Sequence, residues 1–509
     1  MSERLNIVDH NQLFRQEKYV RQREGKRAFE APCSPEEVTS TLEYTKTKEY
    51  KDKNFARTAV VVNPAKACQP LGAVMAALGF EKTLPFIHGS QGCTAYFRSH
   101  LARHFKEPVP AVSTSMTEDA AVFGGMRNLI DGMENCIALY QPQMIAVCTT
   151  CMAEVIGDDL SAFLANARQE GALPEDMPVP FANTPSFSGS HITGYDAMLR
   201  SVLETLYNKS GRTPQPGHEL KLNVLLGFDG YTGNFAEMRR ILGLFGVPYT
   251  ILGDHSSNFD SGATGEYSYY YGGTPLEDVP KAADAAGTLA IQQHSLRKTL
   301  GYMKRTWGQQ VSSVSTPLGI HATDRLLEEI SRLSGREIPE ALKQERARIL
   351  DAMMDSHAYL HGKRVAMAGD PDMLIGLIGF CLELGMEPVH IVCSNGDRKF
   401  EKEAELLLKS SPYGAEATVH CGQDLWHMRS LLFEDPVDLA IGSSHLKFAA
   451  KEAKIPLLRV GFPIFDRHHM HRYPIIGYQG ALNLLTQFVN TVLDVMEEQA
   501  PDHSFDLVR

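Results

Sequence analysis

The feature that most constrains this chain is an alternation of short apolar runs with longer amphipathic stretches, repeated from Thr58 almost to the C-terminus. Runs such as AVVV (59–62), MIAV (144–147), LNVLLGF (222–228), PVHIVC (388–393) and DLAIG (438–442) read as buried strands, and helical patterns separate them. Strands joined through helices pair in parallel, because a parallel pair needs a crossover connection. At 509 residues the chain is too long for one core, since domains commonly hold ~100–200 residues. The expected fold is therefore α/β, with three doubly wound parallel-sheet (Rossmann-like) domains and a mostly helical N-terminal arm. The arm is residues 1–57, which are charged and have no obvious core of their own. The first α/β domain is 58–215, ending within the polar linker NKSGRTPQPGHE (208–219). The second is 216–320. Residues 321–509 hold a long helical segment, the third α/β domain and a C-terminal helix.

In such sheets the loops that follow strands open together on the carboxyl edge, where ligands bind. The stretch 63–93, NPAKACQPLGAVMAALGFEKTLPFIHGSQGC, reads as a loop after AVVV, a helix over 71–79, a short strand and a second loop. Each loop carries one cysteine, Cys68 and Cys93. MIAV leads into TTC with Cys151, and PVPF (178–181) leads into NTPSF with Ser186. Three soft thiolates converging on a sheet edge point to an iron–sulfur cluster. They are one short of the usual four, so Ser186 or a partner chain must supply the rest, which places the cluster at a subunit interface. Zinc also takes thiolates, but its structural sites use paired knuckles that are not found here.

Other candidates carry plainer readings. Cys33, Cys136, Cys381, Cys393 and Cys421 read as small buried hydrophobes. Cys148 forms a CxxC with Cys151, yet it ends a strand and reads as core. Gly89 and Gly92 read as positions where the backbone approaches a cofactor closely. Arg98, His100, Arg103 and His104 follow Cys93 on one helix, either as an interface face or as charges tuning the cluster. Asp351 and Asp355 share a helical face by their spacing and could offer oxygen ligands, though such pairs are usually solvated. GFPIFDRHHMHRYP (461–474) reads as interface packing rather than a metal site.

Composition removes several classes. A net charge of −11 with no basic stripe argues against nucleic acid. No apolar run reaches the ~18–20 residues of a membrane span, and the polar N-terminus has no signal-peptide core, so a cytoplasmic protein is expected. Nine cysteines with no small-scaffold spacing do not read as a disulfide framework there.

The motifs NPAKACQPLGA, HGSQGCTAYFRSH, SMTEDAAVFGG, TTCMAEVIGDDL, TPSFSGSHITGYD and VGFPIFDRHHMHR together resemble the beta chains of nitrogenase molybdenum–iron proteins. The resemblance runs from about Tyr44 to Arg509, including the terminal DLVR, and is weaker in the arm. It implies an oxidoreductase subunit for reduction of dinitrogen to ammonia, paired with an alpha chain in an alpha2beta2 heterotetramer. It further implies an 8Fe-7S P-cluster shared between the two chains. Cys68, Cys93 and Cys151 match its beta-chain thiolates, and Ser186 matches the serine that ligates the oxidised cluster. The iron–molybdenum cofactor and the substrate then belong to the alpha chain, and this chain relays electrons from the separate ATP-hydrolysing iron protein. Phe123 and Ile156 match positions of the docking face for that protein, and Tyr96 lies near the cluster. Glu107, Asp351, Asp355 and the backbone carbonyl of Lys106 match a mononuclear iron or calcium site between two beta chains. Cys148 stands where the family often has serine and is not matched as a ligand.

Three rival readings follow from the same residues: a cofactor-assembly scaffold, a beta chain of a vanadium or iron-only enzyme, and a non-catalytic metal-binding subunit. The full cysteine set, the chain length and the N-terminal arm favour the molybdenum type.

Overall fold

The computed structural model describes residue 12 and residues 15–30, 33–60, 62–263 and 265–500, with main chain only at 28–30. The terminal DLVR lies outside the described residues. The chain divides into two compact units, 1–57 and 58–509. In the first, helices Glu17–Glu30, Pro35–Tyr44 and Lys48–Phe55 follow one another. Ser34 and Glu37 close a reciprocal cap on the second, with Glu37 N–H donating to Ser34 Oγ at 3.2 Å and Ser34 N–H to Glu37 Oε2 at 2.8 Å. Helix Pro35–Tyr44 buries none of its residues and Lys48–Phe55 buries only Asn54, in keeping with an arm that has little core of its own.

The second unit is built on three sheets, and every strand pair in them is parallel. The first holds β1 (Thr83–His88), β2 (Val112–Ser113), β3 (Met144–Thr149) and β4 (Phe181–Ala182), in the order β2-β1-β3-β4. The second holds β5 (Glu219–Leu225), β6 (Tyr249–Ile251), β7 (Ala285–Ala290) and β8 (Val311–Ser313), in the order β6-β5-β7-β8. The third holds β9 (Arg364–Ala368), β10 (Glu387–Cys393), β11 (Thr418–Cys421), β12 (Leu439–Gly442) and β13 (Leu457–Arg459), in the order β11-β10-β9-β12-β13. Each order reverses once, as a doubly wound sheet requires. β1 and β3 are fully buried, which is why they read as unbroken apolar runs rather than alternating ones.

Two expectations fail. Residues 59, 60 and 62 of the AVVV run form no strand, and Val61 lies outside the described residues. The backbone there is held differently: Val62 N–H donates to Asp424 Oδ2 at 3.2 Å, and Leu425 N–H donates to the Asn63 carbonyl at 3.1 Å. The run thus joins the start of helix Leu425–Glu434 instead of a ladder. The sequence pattern near Ala120–Tyr140 predicts one helix, whereas the structure holds two, Glu118–Phe123 and Met126–Tyr140, broken at Gly124 and Gly125, where Gly124 takes φ +85°.

The carboxyl edges of the three sheets are tied to one another. Asp372, beyond β9, accepts from the N–H groups of Gln293, His294 and Ser295, beyond β7, at 2.6, 3.0 and 3.0 Å. Asp370 Oδ2 lies 2.9 Å from Nε2 of His191, beyond β4. Asp196 accepts from Lys298 N–H and Thr299 N–H at 2.6 and 2.9 Å. This convergence fixes the frame that carries the candidate site.

Candidate functional site

The first sheet reverses between β1 and β3, and the crevice at that point lies between the loops that follow them. Cys93 stands in the first turn of helix Gln91–Phe105 after β1, and Cys151 opens helix Cys151–Ile156 after β3. Thr150 N–H donates to the His88 carbonyl at 3.0 Å, which holds the two loops side by side. Cys68 arrives by another route. It is the N-cap of helix Gln69–Ala77, which precedes β1, so it sits at a helix start and not in a loop after a strand. His191 pins that helix start: its Nδ1 accepts from Ala67 N–H at 3.1 Å, and its own N–H donates to the Ala67 carbonyl at 3.0 Å. Ser186 Oγ accepts from Gln69 N–H at 3.3 Å, bringing the hydroxyl beside the Cys68 helix.

The three thiols are half-buried and form one group. Burial pushes the Cys93 thiol above its usual value, and the neighbouring Cys68 and Cys151 push it further the same way. Burial likewise raises the Tyr96 phenol, with Cys68 adding to it. Yet among the described residues no three His, Cys, Asp or Glu side chains close around a single metal ion. A lone zinc would need its thiolates about 2.3 Å from the metal. The three cysteines instead neighbour one another without closing on one ion, and soft sulfur donors fit iron–sulfur chemistry. Exposed Tyr96 and Phe187 flank the set, so it opens at the protein surface.

Gly89 takes φ +150° where the β1 loop passes Thr150. A Cβ there would lie 1.9 Å from Thr150 Oγ1, so the glycine makes room for the neighbouring loop. Gly92 meets nothing closer than Ser90 Oγ at 3.7 Å. Cys148 is fully buried and pushed up to about 12 by that burial, in accord with a core role. His104 is structural as well. Its Nε2 donates to the Gly230 carbonyl at 2.7 Å, its Nδ1 accepts from Ile464 N–H at 2.8 Å, and burial depresses it to about 3. Phe462 packs against the rings of His100 and His104, so the histidine-rich segment is a packing element. Sequence reasoning missed His191, Gln69, His88 and Asp158, because their partners lie tens to hundreds of residues away.

The remaining site residues stand apart from the thiols. Helices Glu118–Phe123 and Cys151–Ile156 pack together through Met116, Ala120 and Ala153, with Ile156 half-buried against them. Their outer side leaves Val122, Phe123 and Val155 at 76, 86 and 77% exposure, an apolar patch of the kind that marks an interaction surface. Lys106 caps helix Gln91–Phe105 in the left-handed region at φ +65°. Glu107 lies 3.7 Å from the Arg472 guanidinium. Asp351 and Asp355 are both exposed on helix Glu340–Leu360. Within the chain these carboxylates do not close a metal site.

Comparison with known proteins gives concordant results. The family described as "Nitrogenase component 1 type Oxidoreductase" matches residues 68–493, and a domain of unknown function matches 1–54. A nitrogenase molybdenum-iron protein beta chain from Frankia alni is 57% identical over 99% of this chain and 96% of its own. The Azotobacter vinelandii beta chain is 50% identical over 94% of each. The solved structure described as "Nitrogenase Cp1 at pH 6.5" superposes with a TM-score of 0.85 at 37% identity, covering 89% of this chain and 98% of that one.

Proposed function

The chain belongs to the nitrogenase component 1 type oxidoreductases, and from that premise we infer that it serves as the beta-type subunit of a molybdenum–iron nitrogenase component. The observation that carries this reading is the grouping of three thiols near the switch point of the first sheet. Its donors suit an iron–sulfur cluster, and its shortfall and open face suit completion by an alpha-type partner in an alpha2beta2 assembly. Cys68, Cys93 and Cys151 would hold the shared P-cluster, with Ser186 as an added oxygen ligand on oxidation. The bound cluster supplies one-electron storage and transfer. The iron–molybdenum cofactor and the reduction of dinitrogen belong to the alpha-type chain.

The residues of this chain hold that group in place. His191 and Gln69 fix the Cys68 helix start, while the Thr150 N–H bond fixes Cys151 against the Cys93 loop. The patch around Phe123 and Ile156 would receive the ATP-hydrolysing iron protein. Lys106, Glu107, Asp351 and Asp355 would hold an iron or calcium ion jointly with a second beta-type chain, since carboxylates gathered from two chains need a cation to offset their repulsion. The segments 58–215, 216–320 and 321–509 stand as the proposed domains, and the cytoplasm as the proposed location. Among the described residues no helix is long and apolar enough to cross a membrane.

Expression of the chain with and without an alpha-type partner tests the reading. Iron should be retained by the co-purified pair and not by the isolated chain. Full iron in the isolated chain, or none in the pair, would overturn it.

A further inference from the structure

Between the apolar patch and the thiols lies one buried carboxylate that the mechanism above does not use. Asp158 follows helix Cys151–Ile156 by two residues, and its side chain is 3% exposed. Its Oδ2 lies 2.9 Å from Nε2 of His88, itself fully buried. Both carboxylate oxygens accept from Gly125 N–H at 3.2 Å. Gly125 is the N-cap of helix Met126–Tyr140 and stands two residues beyond the exposed Phe123. His88 ends β1, and its carbonyl accepts from Thr150, the neighbour of Cys151. Burial depresses the His88 pKa despite the carboxylate, so a neutral ring donates its Nε2–H to Asp158. There is no slack at the junction: a Cβ on Gly125 would lie 2.6 Å from His88 Cε1 and 2.8 Å from Asp158 Oδ2.

We propose that the His88–Asp158 pair is a positioning element that holds the Phe123 and Ile156 helices in register with the Cys93 and Cys151 loops, so that docking on the patch sets the geometry of the thiols. The proposal rests on the docking reading given above. Two short segments meet on Asp158, one from each end of the patch, and the His88 imidazole ties them to the end of β1 that leads into the Cys93 loop, while the helix Cys151–Ile156 and the Thr149–Glu154 hydrogen bond link the second segment to Cys151 directly. A load on either docking helix reaches the end of β1 through this carboxylate. Neither residue touches a reacting atom, and neither lies on the exposed patch, so the pair acts on transfer and leaves recognition alone.

The test uses the assembled complex with its alpha-type partner and a purified iron protein. His88→Leu removes the donor while keeping the packing, and His88→Gln retains an N–H near the Nε2 position. In H88L, electron transfer from the iron protein should slow at least threefold and ATP hydrolysed per electron should rise, with iron content and the apparent KM for the iron protein held within twofold. H88Q should recover most of the loss. Wild-type transfer and ATP coupling in H88L would overturn the proposal, as would equal defects in H88L and H88Q. Should H88L lose iron, Gly125→Ala decides the matter from the other side of the junction. It should uncouple ATP hydrolysis with the cluster intact, and normal coupling there would end the proposal. Phe123→Ala separates the underlying reading: it should raise the KM for the iron protein, and an unchanged KM would remove the docking surface itself.

Discussion

At the scale of single residues, identical side chains meet different fates. Cys136, Cys148 and Cys381 are buried and raised to about 11, 12 and 12, so their thiolates are unavailable as ligands. Cys68 and Cys93 instead stand half-buried at the starts of helices of nine and fifteen residues, where a ligand can reach them. Packing glycines set how closely those helix starts approach the sheet. A Cβ at Gly194 would lie 1.9 Å from the Gln69 carbonyl oxygen, and one at Gly72 would lie 1.8 Å from that of His191. Gly194→Ala must therefore drive helix His191–Ser210 away from the Cys68 helix, at a cost of about 1–3 kcal/mol or more. The assembled variant should melt several degrees lower and lose iron, because the displaced helix start carries Cys68 away from Cys93. Unchanged melting and iron content would show that the contact is dispensable.

At the scale of elements, legibility followed how much of a segment's fate was local. β1, β3, β5, β9 and β10 are long runs buried by the helices around them, and periodicity finds them. The run PVPF (178–181) yields one strand residue, Phe181, and the run VPAVS (109–113) yields two, Val112 and Ser113, at the edges of the first sheet, where register depends on neighbours that local sequence does not encode. The run AVVV has strong strand composition, yet its described residues 59, 60 and 62 form no strand, and Val62 is drawn to Asp424. Cys93 and Cys151 were legible because a loop after a buried strand is a local feature. Cys68 reached the same edge through a helix start, so its placement was right and the reason given for it was wrong. His191, Asp158 and the glycine contacts rest on partners far along the chain and left no local signal. The clustering of conspicuous residues in TPSFSGSHITGYD was the nearest thing to one.

At the scale of the whole molecule, the proposed function gives the chain two sites that it would not complete alone. The carboxylates Glu107, Asp351 and Asp355 stand apart within one copy, with both aspartates exposed. If a cation joins them across two beta-type chains, binding is linked to assembly. Replacing Asp351 and Asp355 together by alanine should shift sedimentation from the tetramer toward alpha–beta pairs at low concentration, with cluster iron spared. A tetramer intact at every concentration would make the cation unnecessary for assembly. The central claim is that the thiols of Cys68, Cys93 and Cys151 supply this chain's half of a shared iron–sulfur cluster. Iron content and the EPR signal of the oxidised cluster, measured on assembled Cys93→Ala beside Cys148→Ser, test it most directly. The account predicts that Cys93→Ala loses the interface iron, the signal and most turnover, while Cys148→Ser keeps all three. Full iron and a normal signal in Cys93→Ala, or their loss in Cys148→Ser alone, would contradict it.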